Sequence, residues 1–404
     1  MRRLLPLISA FALTACGGGP ALEIGDAPAE LQPIEGPELA VQTRWAAELA
    51  RTGRHYLQLR PVADGDRVYA VDHEGTLQAF TATRGDELWQ TRVAERVSGG
   101  LGDGGELLLM GGDAEVVAVA KADGAVQWRA EVSSEVLARP VRSDELVVVR
   151  TIDGGVFGLA AGDGSRRWEY HQEAPLLTLR GNSAPAVAEG TVVIGGDNGR
   201  LVALDRQSGE VRWEQAVTVP RGQTELERMA DVDGRIAIRD HVVYASSYQG
   251  RLVAVALDDG QILWTRELAS HTGVTAAGKN LYTVDDQGDL WALSRRNGAS
   301  LWRQKALHGR RLSTPVVQGD YLVVGDLAGY LHWLDRADGH LVARVRIQDR
   351  AEFFPLGDPE EGADENPYPV NRAVLAAPVV EGERVYVLDQ RGVLNAVRSR
   401  PQSR

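Results

Sequence analysis

Residues 199–213 read GRLVALDRQSGEVRW, and the chain repeats that phrase along most of its length. Residues 75–89 give GTLQAFTATRGDELW, 250–264 give GRLVAVALDDGQILW and 288–302 give GDLWALSRRNGASLW. The Gly pairs are Gly75/Gly85, Gly154/Gly164, Gly199/Gly209, Gly250/Gly260, Gly288/Gly298 and Gly329/Gly339, with Ala114 standing for the first Gly before Gly124. Four residues past the second Gly come Trp89, Trp128, Trp168, Trp213, Trp264 and Trp302, while the seventh copy has Ala343 there. An eighth copy starts at Gly392 and runs out at the C-terminus. Self-similarity at a fixed period decides the architecture before any single residue is read.

Each phrase has a physical reading. GxLxAL alternates with period two, as a half-buried strand does. The second Gly lies in a short turn (TRGD, ADGA, QSGE, DDGQ), where a tight hairpin needs positive φ. Another strand precedes each phrase, such as RVYAVD, TVVIGG or YLVVGD. Before five of those lies a segment opened by Pro61, Pro140, Pro185, Pro315 or Pro378. The unit is therefore four short antiparallel strands. The residues after position 44 divide into eight units of about 45 residues, the length of a four-stranded propeller blade. The eighth copy lacks a Trp-bearing fourth strand, and Arg44-Trp45-Ala-Ala-Glu-Leu49 supplies a match. The sequence thus predicts an all-β, eight-bladed β-propeller of four-stranded antiparallel blades. An N-terminal strand at 44–49 would close the ring and remove an open sheet edge. The Trp series, with Trp291 and Trp333, reads as packing between blades rather than as a ligand site.

The N-terminus reads as a targeting segment. Arg2 and Arg3 precede an apolar run from Leu4 to Leu13, shorter than the ~18 residues that span a bilayer. Residues 13–16, LTAC, resemble the lipobox of bacterial lipoproteins. That resemblance implies cleavage after residue 15 and acylation of Cys16, and Gly17 in the next position implies the outer membrane. Residues 17–44 are rich in Gly, Pro and acidic residues and suit a flexible tether. The expected organisation is a signal peptide at 1–15, an acylated Cys16 and tether at 16–43, and a propeller at 44–404. Cys16 is the only cysteine, which excludes an internal disulfide. The formal charge of −12 argues against a nucleic-acid partner.

Little in the sequence points to catalysis. The eight histidines never pair at HxH or HxxxH spacing, and neither a GxSxG elbow nor a phosphate-binding loop is present. Asp285, Asp286 and Asp289 cluster around Gly288, but they match the turns of the other copies better than a calcium loop. No metal site is expected. Three connections carry extra residues, at 171–183, 217–236 and 349–372. Each runs from a Trp strand to the next Pro-started strand, so all three should decorate one face of the ring.

The consensus PVVxxGxRVYVxDxxGxLxALDxxxGxxLW resembles the pyrroloquinoline-quinone-like propeller repeat. Together with lipobox, tether and closing strand, the chain is similar to the propeller lipoproteins of the outer-membrane β-barrel assembly machine. The most specific stretches are LLTLRGNSAPAV (176–187), VVIGGDNGRLVAL (192–204), ERMADVDG (227–234) and VVGDLAGYLHWLD (323–335). This resemblance implies a non-catalytic scaffold without a cofactor that binds the periplasmic POTRA domains of BamA. It also implies help in inserting β-barrel proteins into the outer membrane, with nascent outer-membrane proteins as a further partner class. The family's contact positions fall on Leu177, Leu179, Arg180, Asp231 and Asp233. The competing reading is a periplasmic quinone-dependent dehydrogenase-like enzyme, since quinone enzymes share the repeat. The vicinal cysteine pair that such enzymes often carry is excluded here by the single Cys.

Overall fold

The structure is a computed structural model that describes residues 28–49, 59–172, 183–218, 231–247, 250–348 and 372–402. The described residues form eight four-stranded antiparallel sheets in a ring, an eight-bladed β-propeller. Blades 1 to 7 comprise residues 62–92, 101–131, 141–171, 186–216, 237–267, 274–304 and 316–346. Blade 8 joins residues 379–401 to the N-terminal strand Leu39–Glu48. Within each of the first seven blades the strands follow chain order, and the short first strands of neighbouring blades meet around the axis.

Burial follows the repeat. In blade 4 the second strand, Thr191–Gly195, is wholly buried, whereas the fourth, Val211–Ala216, fully buries only Trp213. Apolar residues gather in clusters at the seams between blades. Val148, Val156 and Trp168 of blade 3, for example, pack with Val192, Ile194, Val202 and Leu204 of blade 4. The core is thus a circle of seams, each built by two blades.

The second Gly of each repeat belongs to such a seam. Its φ lies between 69° and 81° in all seven copies, the left-handed region that Gly enters without strain. The Trp of the preceding blade lies flat against it. A Cβ placed on Gly85, Gly124, Gly164, Gly209, Gly260, Gly298 or Gly339 would come within 2.5 to 2.8 Å of that indole ring. Each indole N–H then donates to a backbone carbonyl just before the same Gly. Trp168 donates to Arg206 O at 2.8 Å and Trp213 to Leu257 O at 2.7 Å. Gly and Trp therefore recur together because each Trp needs the bare backbone of the next hairpin.

Trp45 plays the same part in closing the ring. It lies on Gly85 of blade 1 and donates to Ala82 O at 3.2 Å. Its strand begins at Leu39, five residues ahead of the expected start, and pairs from Leu39↔Pro401 to Glu48↔Val393. The tether expectation is corrected in part as well. Residues 28–38 lie along blades 6 and 7: Ala29 N donates to His308 O at 2.9 Å, and Arg310 and Arg344 donate to the carbonyls of Ala29 and Gln32 at 3.0 and 3.1 Å. Leu31 packs on the apolar cluster between those blades. Satisfied carbonyls and a half-buried apolar side chain dock this stretch. Cys16 and the signal segment lie outside the described residues.

Candidate interaction face and channel mouth

The strand order decides which groups share a face. In an antiparallel four-stranded blade the fourth strand ends on the side where the first begins. Every connection from one blade to the next therefore emerges on one face, where the axial channel also opens. The expected insertions belong to this class of connection, although residues 173–182, 219–230 and 349–371 lie outside the described residues. Leu177, Leu179 and Arg180 are among them.

Asp231 and Asp233 are described, and their surroundings differ. Asp231 is fully buried, while Asp233 is half-buried and lines the channel mouth. The segment is held by Val232, whose N–H donates to Gly196 O at 3.1 Å and whose carbonyl approaches Gly195 so closely that a Cβ there would collide with it. Ser183 Oγ donates to Gly234 O at 3.2 Å. This bond brings the end of one long connection against the end of the next. Burial, reinforced by the charges of Asp231 and Asp197, pushes the Asp233 carboxyl up to about 7. Asp197 is itself ion-paired with the buried Arg150.

The mouth is a cavity of about 560 Å³ with an ordered composition. The residue two places before the first strand of each blade points to it. In blades 1, 3 and 5 that residue is Arg60, Arg139 or Arg235; in blades 2, 4, 6 and 8 it is Gly99, Ala184, Thr272 or Ala377. Blade 7 has Thr314 there, with Arg311 three residues earlier. Large cations thus alternate with small residues around the first six blades. Sequence reading missed these arginines. The available signal was Arg immediately before Pro in RPV at 60–62 and again at 139–141. A second hollow, about 680 Å³, lies at the outer rim beside the closing strand and away from this face.

The residues that could suggest a calcium loop do not fit a cation. Asp285 Oδ1 accepts the N–H groups of Gln287 and Asp289 at 3.1 and 2.8 Å, and its Oδ2 accepts the Trp291 indole N–H at 2.8 Å. Asp289 accepts from Arg303 Nε at 2.7 Å. The same turn recurs at Asp72, Asp326 and Asp389, each of which accepts the N–H four residues on. Asp335, Asp338 and His340 also lie close together, but both aspartates accept N–H groups of their own hairpin.

A family profile described as "Outer membrane protein assembly factor BamB" matches residues 40–105, 73–304 and 296–400. The chain belongs to the BamB family. It is 39% identical to an outer membrane protein assembly factor BamB of Alkalilimnicola ehrlichii, over 98% of this chain and 97% of that one. Among solved structures it is similar to BamB from Moraxella catarrhalis, with a TM-score of 0.75 and 26% identity over 89% of this chain and all of that one. The quinohemoprotein alcohol dehydrogenase from Comamonas testosteroni shares the fold, with a TM-score of 0.67 at 12% identity over 90% of this chain and 77% of that one. These matches favour the assembly-factor reading over the dehydrogenase.

Proposed function

We propose that this protein is a lipid-anchored, non-catalytic scaffold of the outer-membrane β-barrel assembly machine. It faces the periplasm and binds the POTRA domains of BamA. The observation carrying this reading is the match to BamB relatives over nearly the whole chain. Cys16 is the anchor, and Cys16→Ser should shift the protein out of the outer-membrane fraction.

The contact face is the one that carries the inter-blade connections. Leu177 and Leu179 supply apolar contact and Arg180 a guanidinium suited to a bidentate carboxylate on the partner. Asp233 stands at the edge of that face. Asp231, being buried, acts by holding the segment that presents Asp233. Co-purification of BamA from detergent-solubilised envelopes tests the assignment. Arg180→Ala should abolish capture with an unchanged melting temperature, because truncating a buried charge pair at an interface costs about 2–5 kcal/mol. Asp231→Ala should lower the melting temperature as well as capture. Full retention of BamA by Arg180→Ala would reject this surface.

A further inference from the structure

Arg60, Arg139, Arg235 and Arg311 converge on the channel mouth from four different blades, in a protein whose net charge is −12. Such a concentration of one sign needs a compensating group. Arg60 donates to Pro378 O at 3.3 Å through Nη2, while its buried Nε has no partner. Among the described residues no carboxylate lies within ion-pair distance of any of the four. Two acids come near. Asp103 is bound to Lys121 at 2.9 Å, and Asp233 sits beside Asp231 and the Arg150–Asp197 pair. Arg235, Arg311 and His271 are open to the water of the bore yet walled in by protein around the ring.

The electrostatics agree with the geometry. Burial, followed by the charges of Arg139 and Arg235, pulls the Arg60 guanidinium down to about 9. Burial and then Arg235 lower Arg139, and burial lowers Arg235. Desolvated like charges repel strongly, and a guanidinium kept without a partner is costly. The small residues at the intervening positions leave room between the cations.

We propose that the channel mouth is a binding site for a small multivalent oxyanion, carrying carboxylate or phosphate groups, bridged by Arg60, Arg139 and Arg235. Planar guanidiniums from alternate blades suit this ligand, because each can take two oxygens side by side. The cavity is of small-molecule size, and Leu101, Val141, Ile236 and Leu312 line it between the cations, so an organic body fits between the anionic ends. This inference does not rest on the proposed partner surface.

The test is calorimetric titration and thermal melting of the purified full chain. Citrate and pyrophosphate serve as probes, with sodium chloride at matched ionic strength as control. One equivalent of citrate or pyrophosphate should bind with Kd below ~1 mM and raise the melting temperature as one-site linkage requires. Chloride should do neither. Tighter binding of citrate would identify a carboxylate ligand, and tighter binding of pyrophosphate a phosphate. Arg139→Gln and Arg235→Gln should each weaken binding about tenfold or more, as loss of a charged hydrogen bond implies. Without ligand, both variants should melt no lower than the parent, because each removes an uncompensated cation. No saturable binding by the parent, or binding by both variants as tight as the parent's, overturns the proposal. So does a variant that melts well below the parent, since its arginine would then be a structural partner.

Discussion

Between blades 3 and 4, Trp168 lies against Gly209 and donates to the Arg206 carbonyl. Between blades 7 and 8 the same position is Ala343, and no such latch exists. The difference follows from how the ring is cut. The Trp needs the hairpin between the third and fourth strands of the next blade. Blade 8 has no such hairpin, because its third strand ends near the C-terminus and its fourth comes from the N-terminus. With no hairpin Gly to receive it, a Trp at 343 has no seat. The seam is instead filled from the third strand of blade 7. Trp333, fully buried, donates to Gln318 Oε1 at 2.7 Å, and Ser399 of blade 8 donates to the same oxygen at 2.8 Å. A repeat protein thus shows where its chain breaks by which repeat residue it drops.

The closing seam between blades 8 and 1 provides the strongest way to break this comparison. It keeps the Trp–Gly latch because Trp45 rides on the N-terminal strand that completes a blade otherwise built from residues 379–401. Trp45→Ala removes a buried indole that also meets Phe80 and Tyr386, each with ring centroids 6.1 Å away. Loss of a buried aromatic costs about 3–5 kcal/mol. The variant should melt far below the parent and lose the cooperativity of the transition. A parent-like thermal melt would show that the backbone pairing alone closes the ring.

The Trp168–Gly209 latch gives a sharper test of the regular seams. Gly209→Ala places a methyl 2.7 Å from the indole at a φ of 73°. Left-handed strain and overpacking together predict a loss of about 2–4 kcal/mol. The indole is the obstacle, so Trp168→Ala should absorb part of that loss, leaving a coupling of ~1 kcal/mol or more in a double-mutant cycle. Additive effects would mean that the two residues recur in the repeat for separate reasons. At the irregular seam, Gln318→Leu leaves the Trp333 N–H without its acceptor and should cost about 1–3 kcal/mol in denaturant melts. An effect near zero would leave shape alone holding blades 7 and 8 together.

These contrasts also show what was legible before the structure. The blade count, the hairpins and the closing role of Trp45 follow from spacing, because a tight turn and a period-two strand carry strong local signals. The start of the closing strand at Leu39 was not legible, since residues 39–43 contain no part of the repeat phrase and are strand by pairing with 397–401. The reason for Ala343 required the ring topology. At the candidate site, an aspartate in a turn-like stretch reads as solvated, yet Asp231 is buried beside Val232, which is drawn against Gly195 and Gly196. The channel arginines look like ordinary surface charges in sequence. Their convergence appears once alternate blades are placed around one axis.

The smallest expected effect concerns the first Gly of the repeat. Six of the copies place a Gly there with φ between 76° and 90°, and blade 2 places Ala114 at 88°. The backbone role is unchanged: Val132 N donates to Ala114 O at 3.0 Å, as Val93 N donates to Gly75 O at 2.9 Å. At Gly75 a methyl would run into the Ala94 carbonyl, so blade 2 must open that approach to hold its alanine. An L-residue in the left-handed region costs about 1–2 kcal/mol, and the extra unfolded-state freedom of Gly returns roughly 0.5–1 kcal/mol of that. Ala114→Gly should therefore stabilise the protein by up to about 1 kcal/mol, the opposite sign to the usual Ala→Gly exchange in a strand protein. Equilibrium denaturation of the two proteins side by side measures it. Destabilisation would mean that the Ala114 methyl makes packing contacts worth more than its strain, and that blade 2 has adapted to its missing Gly.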